Sequence, residues 1–223
     1  MRLRVEYSVG PDLKFLANLD MMHLMERALR RAEIPCHLSE GFNPHIRLSM
    51  GTILPVGVWG KHEYFDLELA EMDPQEFMFG MNAVLPPAMT ISDCRPIADQ
   101  VASLMKVVNA ADYTFILKSG LNLQEMISDL LSRDSLLVQS RGKNKNVQKQ
   151  LRPGLYGMKI EKTEEQDLLT VMVSINDPVN IRYDELLALF IENGVNHVDI
   201  VDIYRQGNYI KAGRDFYSPL KKV

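Results

Sequence analysis

The apolar residues of this chain switch between a period of two and a period of 3.6 in the same order twice, and that order leaves few folds open. Arg2–Val9 alternates, with Leu3, Val5 and Tyr7 on one face and Arg4 and Glu6 on the other, which reads as a half-buried strand. A helix follows to about Glu33, with Asn18 or Asp20 as its cap and Met21, Met25, Ala28, Leu29 and Ala32 as its buried stripe. Pro35 stops it. His45–Leu54 and His62–Ala70 read as two strands. Asp73-Pro74 opens a second helix to about Val84, because proline suits the first helical position. Pro86-Pro87 closes that helix, and Met89–Ile97 supplies a further strand. The order β-α-β-β-α-β is the split βαβ of ferredoxin-like folds.

The second half repeats the order. Ala111–Lys118 alternates as a strand, Leu121–Arg133 is a helix and Leu136–Gln139 a short strand. Leu155–Lys162 and Leu168–Ile175 form a hairpin around Glu164-Glu165-Gln166-Asp167. Tyr183–Glu192 is a helix with Asn193-Gly194 as its stop, and Val198–Tyr204 closes the set. The halves share no sequence identity, so the duplication lies in the pattern. The expected class is α+β, with two ferredoxin-like halves in tandem, mainly antiparallel sheets and helices on one face. Residues 1–97 form the half that carries the candidate site, 98–110 a connection, 111–210 the second half, and 211–223 a tail.

With 223 residues, 46% of them apolar, the chain has ample material for a core. A net charge of -4 argues against nucleic-acid or membrane affinity from global charge, and leaves room for a local basic patch. No run of 18 apolar residues is present, so no transmembrane span is expected. The alternating start MRLRVEYSVG has no signal-peptide core, so a cytoplasmic location is expected. Cys36 and Cys94 lack CxxC spacing and read as free thiols in a reducing compartment. Two cysteines do not hold an iron–sulfur cluster of the usual kind. There is no P-loop, GxGxxG or GxSxG motif.

At 100° per residue, Asp20, Arg27 and Arg31 fall within about 40° of one another on the first helix, with His23 and Arg30 flanking them. A solvated face is the ordinary reading of such a cluster. Two features point further. The face carries three arginines and no lysine, and guanidinium is the better fork for phosphate or carboxylate. It is also followed by the turn Gly41-Phe42-Asn43-Pro44 and by His45 and Arg47, which are candidates to fold back over it. Phe42 in such a turn is exposed or tucked into the core, burial statistics favouring the core, or it stacks on a base or other planar ligand. Asp20 is an ordinary cap or ion-pair partner, or it orients Arg27, or it serves as an acid/base group. His23, His37, His45 and His62 lack metal-ligand spacing, and no metal or other cofactor is expected in this chain.

Residues 141–152, RGKNKNVQKQLR, hold Arg141, Lys143, Lys145, Lys149 and Arg152 without an acid. The segment is either a solvated loop or an arm that follows RNA phosphates. No RNP1-type aromatic strand accompanies it. The thirteen methionines offer either core filling or an adaptable apolar surface.

Several of these residues resemble one family. Phe15-Leu16, Leu19-Asp20, Glu26-Arg27-Ala28, Arg30-Arg31-Ala32, Pro35, Ser39, Gly41-Phe42-Asn43-Pro44-His45, Leu54-Pro55-Val56-Gly57, Glu63 and Asp66 are similar to the radical-SAM-linked bacterial protein family, a domain of unknown function. The domain occurs alone or fused behind a radical-SAM region. The likeness is dense over 15–66 and continues loosely through Ser140-Arg141-Gly142-Lys143 and Arg152-Pro153; Gly60 departs from the family's usual serine. The resemblance implies a radical-SAM partner carrying S-adenosylmethionine and an iron–sulfur cluster, near RNA modification or ribosome metabolism. The expected function is a non-catalytic accessory or substrate-binding protein for RNA or another anionic substrate, with no membrane partner. The alternatives are an RNA-modifying enzyme of pseudouridine-synthase-like architecture using Asp20, and a structural protein–protein interaction module.

Overall fold

A computed structural model describes residues 1–142 and 147–221. Its elements are β1 (Arg2–Val9), α1 (Asn18–Arg31), β2 (Leu48–Met50), β3 (Trp59–Glu68), α2 (Pro74–Val84), β4 (Met89–Ile97), the single turn α3 (Leu104–Val107), β5 (Ala110–Lys118), α4 (Leu123–Ser132), β6 (Leu137–Gln139), β7 (Gln148–Gln150), β8 (Leu155–Lys162), β9 (Gln166–Ser174), α5 (Tyr183–Glu192), β10 (Ile200–Ala212) and β11 (Asp215–Tyr217). The chain divides into two compact units. One is Met1–Val108 with the residues from Gly207 onward, the other Asn109–Gln206. β10 changes unit at Gly207.

In the first unit β1 lies between β4 and β3, antiparallel to both, and β2 pairs with the outer side of β3. The register sets Leu3 opposite Leu67, and Val5 opposite Phe65 and Cys94. These side chains share a face and pack with Met21, Met25, Ala28 and Leu29 of α1 and Phe77 and Met81 of α2. Each such fully buried large side chain contributes about 1.5–3 kcal/mol. The helix stripe read from the sequence is therefore the buried one. The cap is not. Ala17 holds the N-cap position without a side-chain bond, and Asp20 sits inside the first turn, where its charge complements the helix dipole. At the other end Glu33 adopts φ 54°, and Ile34 N–H reaches back to Leu29 O at 3.1 Å, a Schellman-type stop. Asp73 caps α2, accepting from Gln75 N–H at 2.8 Å and Glu76 N–H at 3.2 Å.

The second unit has the same plan. β5 is flanked by the first part of β10 and by β9, with β8 outside β9. Phe115 pairs with Leu169 and meets Phe190 of α5 edge-on at 5.0 Å. Between α4 and β8 the chain inserts the small antiparallel pair β6–β7. In each unit the first strand lies between the third and fourth, which is the ferredoxin-like order. The expected α+β class with antiparallel sheets is what the structure has.

The second face of the first unit's sheet departs from the half-buried strand read from Arg2–Val9. Arg4 is 0% and Asp66 2% exposed. Arg4 grips Asp66 with two bonds, of 2.8 and 3.1 Å, and Arg2 adds a third at 2.5 Å. Residues 98–108, read from the sequence as a connection, belong to this unit. Val101 O accepts from Arg2 at 2.8 Å, and Ala102 O from Arg4 at 3.1 Å. The stretch read as a tail from Lys211 onward also joins it. Ile210 pairs with Tyr217, and Pro219 O accepts from Arg4 at 3.4 Å.

Candidate functional site

Asp20, His23, Arg27, Arg30 and Arg31 are all exposed on the side of α1 away from its buried stripe. Asp20, His23 and Arg27 make no side-chain hydrogen bond or ion pair among the described residues. Arg31 donates to Val84 O at 2.7 Å. Asp20 stands about 10.5 Å along the axis from Arg27 and about 16.5 Å from Arg31, seven and eleven residues away at 1.5 Å each. The orienting arginine that a catalytic Asp20 would need is therefore not in contact with it.

Arg30 leads into the next part of the motif. Burial pushes the Cys36 thiol up to about 11, against the pull of the nearby Arg30 charge. Cys36 bridges to Leu69, and Leu38 to Ile46, so the chain after α1 becomes a small hairpin on the sheet edge. Ser39 closes it twice. Its N–H donates to His45 O at 2.7 Å, and its Oγ accepts from His45 N–H at 3.0 Å. The turn inside is made possible by Gly41 at φ 128°, a conformation that only glycine adopts readily. Phe42, at 106% relative exposure, points away from any core. Asn43 and His45 are exposed, and Arg47 pairs with Glu68 at 2.9 Å on the strand edge. The structure thus brings Arg30 to the base of the hairpin and leaves Asp20 at the opposite end of α1.

The basic segment divides. Arg141 is exposed. Lys149 donates to Glu185, which is 0% exposed, at 2.7 Å and also to Asn180 O. Glu185 accepts as well from Arg141 N–H and Arg182 N–H, so this pair fastens β7 to the start of α5. Arg152 donates to Leu131 O at 3.2 Å. Lys143 and Lys145 lie outside the described residues. Met21, Met25, Met81 and Met89 are buried, so these methionines fill the core rather than form a surface.

Sequence reasoning missed a polar cluster on the second face of the first unit. Glu6 lies opposite Tyr64 on β3 and Asp93 on β4, so all three side chains share that face. Glu6 accepts from Tyr64 Oη at 2.6 Å, Ser92 Oγ at 2.8 Å and His62 Nδ1 at 3.1 Å. Burial pushes the Glu6 carboxyl up, but these three bonds and the His62 charge outweigh it and hold it down at about 2. Burial and the Glu6 carboxylate push the Tyr64 hydroxyl well above its ordinary range. Together with Arg95, Tyr209, Ser218, Leu220 and Lys221 they line an open cavity of about 340 Å³. The available signal was the run of charged residues on the strand Arg2–Val9, which pairs through Asp66 and Tyr64 of β3.

Among the described residues no group of three or more His, Cys, Asp or Glu is placed to hold a metal ion. No helix among them is long and apolar enough to cross a membrane. Residues 2–183 match the model of a family described as "Uncharacterized protein conserved in bacteria (DUF2344)". Comparison with curated proteins finds no match. Among solved structures, a chain of a Cbf5-Nop10-Gar1 complex is similar with a TM-score of 0.53 at 12% identity. That match covers 95% of this chain and 50% of the other, so this chain spans about half the length of the one it resembles. A chain of the archaeal box H/ACA sRNP Nop10-Cbf5 complex matches with a TM-score of 0.44 at 12% identity, over 91% of this chain and 46% of that one. An unknown protein from Galdieria sulphuraria matches with a TM-score of 0.26 at 12% identity, over 92% and 96%. At such identity, the first of these likenesses shows the fold alone.

Proposed function

The chain belongs to this family of proteins conserved in bacteria, and we propose that it is a non-catalytic accessory protein that binds RNA, or another anionic substrate, for a radical-SAM enzyme in the cytoplasm. The observation that carries this reading is the exposed arginine face of α1. Arg27 is unengaged among the described residues, and Arg30 stands at the base of a hairpin that presents Phe42 to solvent. Guanidinium groups pair bidentately with phosphate, and an exposed aromatic ring stacks on an unpaired base. Together they suit a single-stranded or looped RNA better than a duplex. Of the basic segment, Arg141 is the described cation that remains on the surface, so α1 and the hairpin carry most of the contact. In this reading S-adenosylmethionine and the iron–sulfur cluster reside on the partner, as the family resemblance implies.

The test is fluorescence anisotropy with a labelled single-stranded RNA over a range of salt. Each phosphate contact contributes about 0.7 to the slope of log affinity against log salt for single strands. Arg27→Glu with Arg30→Glu should therefore weaken binding and lower the slope by about 1.4. Affinity and slope unchanged in that double variant would overturn the reading. Copurification with a radical-SAM enzyme from a native host is expected to depend on neither substitution.

A further inference from the structure

We propose that the cavity on the second face of the first unit's sheet binds a single guanine nucleotide, its base lying on Tyr209 and its phosphate held by Arg95 and Lys221. Three observations support this. The volume of about 340 Å³ falls in the range of small-ligand sites. Tyr209 leans back along its own strand over Gly207. A Cβ at Gly207 would stand 2.8 Å from the Tyr209 hydroxyl and 3.0 and 3.4 Å from two ring carbons, so the glycine leaves the space in which the ring lies. Phe216 of β11 braces that ring edge-on at 6.3 Å. An aromatic ring laid along a strand on a sheet face is a stacking surface for a base.

The charges are distributed to suit such a ligand. Glu6 is fully engaged by Tyr64, Ser92 and His62, and serves to fix those side chains. Asp93 and Arg95 are both about half exposed and touch only loosely, at 3.5 Å, so a ligand can take either. A carboxylate accepts two parallel hydrogen bonds, and guanine alone among the common bases presents adjacent ring and amino N–H donors on one edge. Beside His62, which pairs with Glu6, the cavity holds Arg95 and Lys221, and these two cations suit a phosphate. The site is independent of the arginine face of α1, and its failure would leave the RNA reading of that face untouched.

Calorimetry of the full chain with GMP, AMP, CMP and UMP tests this. GMP should bind at least about fivefold more tightly than the other three, one well-placed polar contact being worth about that or more. Tyr209→Leu and Arg95→Glu should each weaken GMP at least about tenfold. Asp93→Asn should abolish the preference for GMP over AMP while leaving AMP unchanged. The Arg27→Glu, Arg30→Glu protein should bind GMP as before. A melting curve accompanies each variant, and Arg95→Glu, on an exposed side chain, stands in if Tyr209→Leu fails to fold. A pentamer with one central guanosine separates the sources. If it outcompetes GMP, the pocket takes the base from a strand, and if it does not bind, the ligand is a free nucleotide. Absence of binding by GMP and pentamer alike at millimolar concentration, or GMP binding unaltered by both Tyr209→Leu and Arg95→Glu, overturns the proposal.

Discussion

Asp66→Ala should cost this protein about 3–5 kcal/mol, which is the usual penalty for removing one partner of a buried ion pair. The geometry explains why the cost falls in that range rather than at the level of a surface pair. Asp66 is 2% exposed and takes three guanidinium bonds, two from Arg4 and one from Arg2. Arg2 retains the carbonyls of Asp99 and Val101, and its side chain keeps 14% exposure, so water can compensate it. Arg4 is 0% exposed and keeps only Ala102 O at 3.1 Å and Pro219 O at 3.4 Å. It would be left as a buried charge without a counter-ion. The penalty therefore belongs mostly to Arg4, and replacing both partners should remove it. Arg4→Met with Asp66→Leu should return to within about 1 kcal/mol of the parent, because an apolar pair of similar volume avoids the desolvation cost. Urea unfolding followed by Trp59 fluorescence measures both, since the single tryptophan lies in the first unit. A loss below about 1 kcal/mol for Asp66→Ala, the value of an exposed pair, would refute the claim that residues 98–108 and the C-terminal stretch seal this face.

Three other outcomes follow from the same structure. The Glu6 carboxyl sits at about 2 against an ordinary 4.5, so its contribution to stability is complete above pH 4.5 and is lost as pH falls toward 2. The shift corresponds to at most about 3.4 kcal/mol, and screening from the open cavity reduces it to about 1–2; Glu6→Gln should show this loss in urea at pH 7 and only about a quarter of it at pH 2.5. Lys149→Met should destabilise the second unit by about 3 kcal/mol by leaving Glu185 charged and buried, and circular dichroism against urea would show it, whereas an unchanged midpoint would mean that the pair does not anchor β7. Burial pushes the Cys36 and Cys94 thiols both up to about 11. Iodoacetamide at pH 8 should then label the folded chain at least about a hundredfold more slowly than free cysteine, because the thiolate is scarce. Rapid labelling would contradict the burial.

The repeated strand–helix order was readable in the residues because it rests on local periodicity. The helix Tyr183–Glu192 and the strand Met89–Ile97 have the bounds their patterns suggested. Which side of α1 is buried was equally legible, since Met21, Met25, Ala28 and Leu29 recur at helical spacing. Phe42 was not settled by its type. Average burial favours a phenylalanine inside, but a turn closed by Ser39 and His45 and built around Gly41 projects it outward. Lys149 reads in the chain as one more cation of a basic run, yet a glutamate 36 positions later holds it in place. Arg4 and Glu6 show the same limit most clearly. Alternation places both on one face of a strand, and nothing near them in sequence says whether that face meets water. The chain decides it only on folding, when Asp66, residues 98–108 and the segment after β11 arrive from far away to cover it. Short-range periodicity records backbone geometry. The partner of a charge, and the solvent it loses, depend on contacts between residues that the linear order keeps apart.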